Sequence, residues 1–362
     1  IQTFVIYFYF CIDMDNKSEK KHLAGMSASE ITEVVESLGM PRFTAKQIVS
    51  WLYEKRVNSI DEMTDLSKVN RGKLLEKYDV GYVAPVQEMR SVDGTVKYLF
   101  ATSHDSSVEA VYIPDKERAT LCVSSQVGCK MNCLFCMTGK QGFTRNLTAN
   151  EILNQIISIP ESRTLTNLVF MGMGEPFDNI DELMKVLSIL TSEWGFAWSP
   201  KRITVSTIGH RVGMERFLKE SDCHLAVSLH SPFPVERLSL MPVEKAYPEY
   251  EIIEKLRQYD FSKQRRLSFE YIMFRGLNDS LRHAEELVRL LKGLHCRINL
   301  IRFHAIPDVA LRTSDESSMV QFRNYLTRKG IICTIRSSRG EDIFAACGML
   351  STARTQKMKL RE

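Results

Sequence analysis

From about Ala119 onwards the sequence alternates short apolar runs with helical periods, and this alternation restricts the fold more than any other feature. Strand patterns fall at residues 120–124, 167–172, 202–207, 225–230, 267–273 and 297–303, with a further one at 333–337. Helical periods at 149–159, 181–191, 250–259 and 280–291 lie between most of them. Apolar strands separated by helix-length segments imply parallel pairing through crossover helices. Six or more such units predict an α/β fold, a parallel barrel or part of one, whose functional groups gather at the C-terminal ends of its strands.

The chain before this region reads differently. Ser27-Ala28-Ser29-Glu30 is a capping box, followed at helical spacing by Ile31, Val34, Val35 and Leu38, with Gly39 and Pro41 as stops. A second amphipathic helix starts near Thr44, with Ile48, Trp51 and Leu52 on one face, and a third spans about 66–78. Arg42, Lys46, Lys55 and Arg56 suit phosphate contacts, although exposed helix charges are the commoner explanation. Residues 86–102, broken by Asp93-Gly94, predict a β-hairpin, and 108–113 continues the strand pattern and carries Glu109. Pattern alone gives a solvent-facing Glu109 and a catalytic one equal weight. The expected organisation is a helical accessory domain over 14–85, a hairpin extension over 86–114, an α/β core over 115–340 and a C-terminal segment over 341–362. Residues 1–12 (IQTFVIYFYFCI) are apolar but too short to span a bilayer, and they lack the basic leader of a signal peptide. Residues 1–13 are therefore expected to be an upstream extension or a mis-called start before Met14; a native mass beginning at Ile1 would contradict this.

With 44% hydrophobic and 25% charged residues in 362, composition is that of an ordinary globular protein. A net charge of +4 gives little support by itself for a nucleic-acid partner, and the basic runs at 17–21, 263–266 and 354–361 read as solvated surface. Nine cysteines, three of them packed together, do not form a secreted disulfide framework and point to a reducing compartment. The three are Cys129, Cys133 and Cys136, directly after the first core strand. Structural zinc takes four ligands, whereas an iron–sulfur cluster held by three thiolates keeps one iron open to a substrate. The ligand count favours the open cluster, with a zinc-containing RNA-binding protein as the non-enzymatic alternative. Other polar and glycine-rich groups fall at later strand ends: Gly172-Met173-Gly174-Glu175-Pro176, Ser206-Thr207-Ile208-Gly209, Ser228-Leu229-His230 and Phe303-His304.

A C-x3-C-x2-C motif after the first strand of a partial βα barrel resembles the radical S-adenosylmethionine (SAM) superfamily. Gly174-Glu175-Pro176 resembles the segment with which that superfamily binds the methionine amino group. More narrowly, 121–129 (LCVSSQVGC), 170–176 (FMGMGEP), 205–209 (VSTIG), 228–230 (SLH) and 345–348 (AACG) are similar to the RlmN/Cfr family of RNA adenine methyltransferases, over about residues 27–350. Val127 and Pro176 look more like the C2-methylating branch; C8 methylation, as by Cfr, is the alternative.

The resemblance implies a partial (βα)6-type barrel with a [4Fe–4S] cluster on Cys129, Cys133 and Cys136. It implies SAM contacts from Gly174, Glu175, Ser206, Ser228, Leu229 and His230. The N-terminal helical domain would then bind RNA, the substrates being large-subunit (23S) ribosomal RNA and the adenine next to the anticodon in tRNA. Electrons would come from a flavodoxin or ferredoxin. A cytoplasmic monomer with no membrane association is expected. Cys347 would take a methyl group from one SAM; a second SAM would supply the radical that activates it for addition to adenine C2. Glu109 matches the general base, and Cys122 would release the product by attacking the Cys347 sulfur, leaving a disulfide. Adenine C2 is electron-poor and does not attack a sulfonium methyl, so a carbon radical answers the chemistry, and thiol–disulfide exchange requires the second sulfur in reach. The bare sequence also allows Cys347 as a small packed residue beside Ala345 and Ala346, and without the resemblance an ordinary core thiol is the preferred reading of Cys122. Cys11, Cys223, Cys296 and Cys333 read as structural. One position departs from the family: His304-Ala305 stands where Asn-Pro is usual, and His304 is assigned the SAM contact of that Asn because an imidazole also donates a hydrogen bond.

Overall fold

The computed structural model describes residues 20–262 and 265–352. The apolar stretch 1–12, Met14, Lys263 and the basic tail 354–361 lie outside the described residues. A ten-stranded sheet forms the centre, with its strands side by side in chain order. They are β1 (Gln87–Arg90), β2 (Val96–Thr102), β3 (Ser106–Asp115), β4 (Arg118–Cys122), β5 (Asn167–Phe170), β6 (Ile203–Thr207), β7 (His224–Ser228), β8 (Leu267–Met273), β9 (Cys296–Arg302) and β10 (Ile332–Ile335). Strands β1 to β4 pair antiparallel, starting with the hairpin at Asp93-Gly94. From β4 to β10 every pairing is parallel, and β10 does not return to β4, so the barrel is partial and open on one side.

Alternation along each strand decides which side is which. Leu168 and Phe170, Ile203 and Val205, Leu225 and Val227, Leu267 and Phe269, and Ile298 and Leu300 are fully buried against the crossover helices. Each such side chain stabilises the fold by about 1.5–3 kcal/mol. The residues between them face the concave side, and strand register aligns them: Cys122 beside Val169, Ser228 beside Glu270, Glu270 beside Asn299. Helix Ala149–Ile157 starts where Thr148 and Glu151 form a capping box, and Ala28–Ser37 starts in the same way at Ser27 and Glu30.

The N-terminal helices are fixed to the outside of the barrel. Lys185 of helix Ile180–Thr191 pairs with Glu30 at 2.7 Å, and the Asn154 side chain brackets the Val83 backbone, accepting from its N–H at 2.8 Å and donating to its carbonyl at 2.9 Å. One expectation needs correcting. The helix from Thr44 is regular only to Val49 and widens into a π-helix over Ser50–Lys55. The wider turn lets consecutive Leu52 and Tyr53 both point inward, each essentially without solvent contact. Arg56 then ends it in a left-handed conformation, with its guanidinium on Ser162 and over the Phe196 ring, so this side chain is committed to packing. Among the described residues no helix is long and apolar enough to cross a membrane.

Candidate active site

The cysteine loop leaves β4 through a short strand, Gln126–Gly128, paired with Phe143–Asn146. Gly128 has φ +74°, and a Cβ there would lie 1.7 Å from the Gly142 carbonyl oxygen, so only glycine permits the approach that starts the loop. The Cys129 N–H then donates to that Gly142 oxygen at 3.0 Å, and Leu134 N–H to the Leu240 carbonyl at 2.9 Å. Phe135 packs edge-on against His230 and tilted against Phe274, within an apolar cluster that also holds Cys133, Ile208 and Phe303. Cys129 and Cys133 are buried, and burial pushes the Cys129 thiol up to about 12 and Cys133 well above its usual value, with neighbouring thiolate charge adding to both. Thiolates are therefore unfavourable here unless a cation compensates them, as iron would. Among the described residues no three His, Cys, Asp or Glu side chains converge as ligands of one ion would. In a [4Fe–4S] cube each of the three thiolates would hold a different iron.

Next to this loop, the segment after β5 packs directly on the chain that follows β4. Gly174 has φ +101°, and a Cβ there would meet the Gln126 side chain at 2.5 Å. Glu175 N–H donates to Gln126 Oε1 at 2.8 Å. Its carboxylate Oε1 accepts from Thr207 Oγ1 at 2.7 Å and Phe177 N at 3.1 Å; Oε2 accepts from Ile208 N at 3.0 Å. Oε2 thus keeps a lone pair for an incoming ammonium group. Burial raises Glu175 to about 7 despite the hydrogen bonds that oppose it.

His230 sits beyond β7 with φ +59°, a strained region for a residue with a Cβ. Asn278 holds it there, donating to the His230 carbonyl at 2.6 Å. Ile272 N–H donates to His230 Nδ1 at 3.0 Å, so Nε2 carries the proton; burial and Arg237 lower the ring to about 3 and keep it a neutral donor. Beneath these loops lies Arg237, with no solvent contact. It donates to the carbonyls of Leu229 (3.2 Å), Ser228 (3.2 Å), Ile208 (3.0 Å) and Tyr247 (3.3 Å), and it pairs with Glu244. One guanidinium therefore fixes the ends of both β6 and β7. Leu229 is itself buried, whereas Ser206 and Ser228 keep partial access to the concave side.

The Cys347 segment closes over this arrangement. Met137 N–H donates to the Gly348 carbonyl at 2.8 Å, Thr138 Oγ1 to the Leu350 carbonyl at 2.8 Å, and Gln141 binds Ser351 and Thr352. Ser351 N–H donates to Glu109 Oε2 at 3.0 Å. Glu109 is buried, which excludes the solvent-facing reading, and its other oxygen pairs with Lys97 Nζ at 3.0 Å. Burial raises the Glu109 pKa, opposed by Lys97 and the Ser351 N–H. Cys347 keeps solvent access, which overturns its reading as a packed residue, while the protein around it raises its thiol above the usual value. Cys122 is buried on the concave side, its thiol raised to about 12 by burial and by Cys347, whose charge reaches it. His304 lies after β9 and its Nδ1 stands 3.2 Å from Glu341 of the same C-terminal segment.

Lys97, Gln126, Arg237 and Asn278 were not apparent from sequence. Lys97 and Arg237 are cations that only their burial singles out; Gln126 lies within the 121–129 segment with nothing there to mark its role, and Asn278 carries no motif.

Three thiols on the loop after the first parallel strand, with a buried carboxylate and imidazole on the next rims, are the arrangement of a radical SAM enzyme. The Radical SAM superfamily model matches residues 123–291. The model of the ribosomal RNA large subunit methyltransferase N-terminal domain matches residues 21–80. A probable dual-specificity RNA methyltransferase RlmN from Phocaeicola vulgatus is 67% identical over 343 residues, covering 95% of this chain and 98% of that protein. Its namesake in Desulfotalea psychrophila is 42% identical, covering 95% and 99%. The crystal structure of a radical SAM methyltransferase from Sphaerobacter thermophilus superimposes with a TM-score of 0.86 at 41% identity, over 91% of this chain and 99% of that one. The chain belongs to the RlmN family. Its cofactors are a [4Fe–4S] cluster and SAM.

Proposed function

We propose that this chain methylates C2 of an adenine in 23S ribosomal RNA and of the adenine next to the anticodon in tRNA, through an S-methyl group carried on Cys347. The observation that carries this reading is the docking of the Cys347 segment between the cysteine loop and Glu109, above Cys122 on the same concave face. The cluster and SAM supply, when bound, a methyl group and a 5′-deoxyadenosyl radical.

The chain's own residues do the rest. Cys129, Cys133 and Cys136 hold the cluster. Glu175 Oε2 accepts from the SAM ammonium, Gly174 lets the backbone approach, and Ser206, Ser228, Leu229 and His230 line the remaining contact, with His230 Nε2 donating. His304 completes it from β9. Cys347 carries the methyl carbon to C2 of the base. Glu109 takes the C2 proton, for which its raised pKa suits it. Cys122 is a protonated thiol at neutral pH and must lose its proton to attack. Val111 pairs with Cys122 and Glu109 lies two residues along β3 on the same face, so carboxylate and thiol share the concave side. When Cys122 attacks the Cys347 sulfur, the S–S bond forms as the C–S bond to the product breaks, and the proton given up by the thiol ends on the released carbon, which becomes the methyl group. Two electrons and two protons then restore both thiols. The target base must leave its stack to reach this interior.

The electron source is a flavodoxin or ferredoxin, and the protein acts as a cytoplasmic monomer. The decisive experiment is anaerobic cluster reconstitution followed by RNA methylation and nucleoside mass spectrometry. 2-Methyladenosine is expected; 8-methyladenosine, or a colourless zinc protein without activity, would overturn the reading.

A further inference from the structure

At the end of the barrel opposite the cysteines, the strands begin around a pit of about 360 Å3. Lys201, His224, Arg265, Arg266, His295 and Arg297 line it, and among the described residues no carboxylate does. Lys201 precedes β6, His224 opens β7, Arg265 and Arg266 precede β8, and His295 and Arg297 flank the start of β9. The side chains of Lys201, Arg266 and Arg297 have no hydrogen-bond or ion-pair partner among the described residues. Arg265 donates Nη1 to the Leu218 carbonyl and lies 3.8 Å from Asp222, yet its Nε is buried with no acceptor among the described residues.

His224 points to the same ligand chemistry. The Arg266 backbone N–H donates to its Nδ1 at 3.0 Å, which leaves Nε2 as the proton-bearing nitrogen of a ring lining the pit. Burial and the surrounding cations push His224 down to about 4, so it is a neutral donor rather than one more charge. Burial and the charges of Arg297, Arg336 and Arg118 lower Arg266. Crowded like charge opposes folding in the empty pit, and an anion reverses the sign of that interaction.

We propose that this pit is a phosphate-binding site, separate from the SAM and cysteine site, that holds at least two phosphate groups at once. Cations from β6 to β9 span about 14 Å at the usual strand spacing, too wide for one phosphate. Two guanidinium forks suit phosphate oxygens better than a lysine-only patch would. The volume lies within the range of small-ligand sites. The phosphates belong either to a free polyphosphate ester such as a nucleoside triphosphate or to the RNA strand. Arg118 and Arg336, both exposed and both acting on Arg266, extend the cationic surface beyond the pit for an RNA strand to follow.

Reconstituted holoenzyme and its Arg266→Ala/Arg297→Ala variant are titrated with tripolyphosphate and, separately, with an anticodon stem-loop RNA. The RNA arm rests on the proposed function and the tripolyphosphate arm does not, so failures of the two are distinguishable. With a free ligand, the variant binds tripolyphosphate about tenfold more weakly, and Arg266→Lys/Arg297→Lys recovers most of the loss. With RNA, the salt dependence of log K falls by about 2 in the variant. Either loss supports the site and names its source. Equal binding of both probes by variant and wild type, within about a factor of two, overturns it. If wild type binds no RNA, the tripolyphosphate arm alone decides. Should the double variant fail to fold, as judged by cluster absorbance and circular dichroism, Lys201→Ala at an exposed position is read in the same way with a smaller shift.

Discussion

Arg237 and Arg266 belong to the same barrel and are treated in opposite ways. Under the C-terminal rim, Arg237 has four carbonyls and a carboxylate around it. At the N-terminal end, Arg266 has no side-chain partner among the described residues. The first arrangement is complete before any ligand binds, and so it positions backbone. The second, at an exposed position, stays open to a ligand. Polar groups that support chemistry are those already satisfied; polar groups that recognise something are left wanting.

That contrast is open to test, beginning where the effect is largest. Cys347→Ala removes the carrier sulfur at the rim and abolishes RNA methylation while cluster absorbance stays at the wild-type level; residual methylation would refute the covalent route. Arg237→Ala leaves Glu244 and several carbonyls buried without their donor and lowers unfolding stability by about 3–5 kcal/mol in denaturant titrations. On the proposed function Glu175 accepts from the SAM ammonium in its ionised form, and burial raises its pKa to about 7. SAM affinity measured by equilibrium dialysis therefore weakens as pH falls below 7, approaching about tenfold per unit, and Glu175→Gln is weak and flat over the same range. Lys97→Met removes the cation that holds Glu109 down, so the acidic limb of the methylation pH profile moves to higher pH. Smallest is Arg266→Ala, which changes unfolding stability by no more than about 0.5 kcal/mol, since that side chain holds nothing in place.

The parts of the molecule that were readable are those in which local pattern and chemistry coincide. Cys129, Cys133 and Cys136 lie within one turn-length segment, and the strand that buries Leu168 and Phe170 is visible as a short apolar run. Lys97 and Arg237 were hidden because a cation in a sequence carries no mark of burial; that depends on Glu109 and Glu244 arriving from elsewhere in the chain. The π-helix over Ser50–Lys55 was hidden for the same reason, since it satisfies Leu52 and Tyr53 against a core formed largely by later residues. His304 was readable as a position but not as a partner: Glu341 beside it connects this departure from the family to the segment that carries Cys347.

The ten strands stand in the sheet in the order in which a ribosome would release them. A nascent chain can add each strand to the one before it, without waiting for a distant partner. The cysteine loop emerges early, after β4, but Gly348, Leu350 and Ser351 dock on it and on Glu109 only when the last strand has already passed. On the proposed function, a chain that stops short of that segment keeps the three cysteines of the loop and lacks Cys347, the sulfur that carries the methyl group. On that same proposal, the segment that carries the methyl group takes its place only after the strands of the barrel have formed.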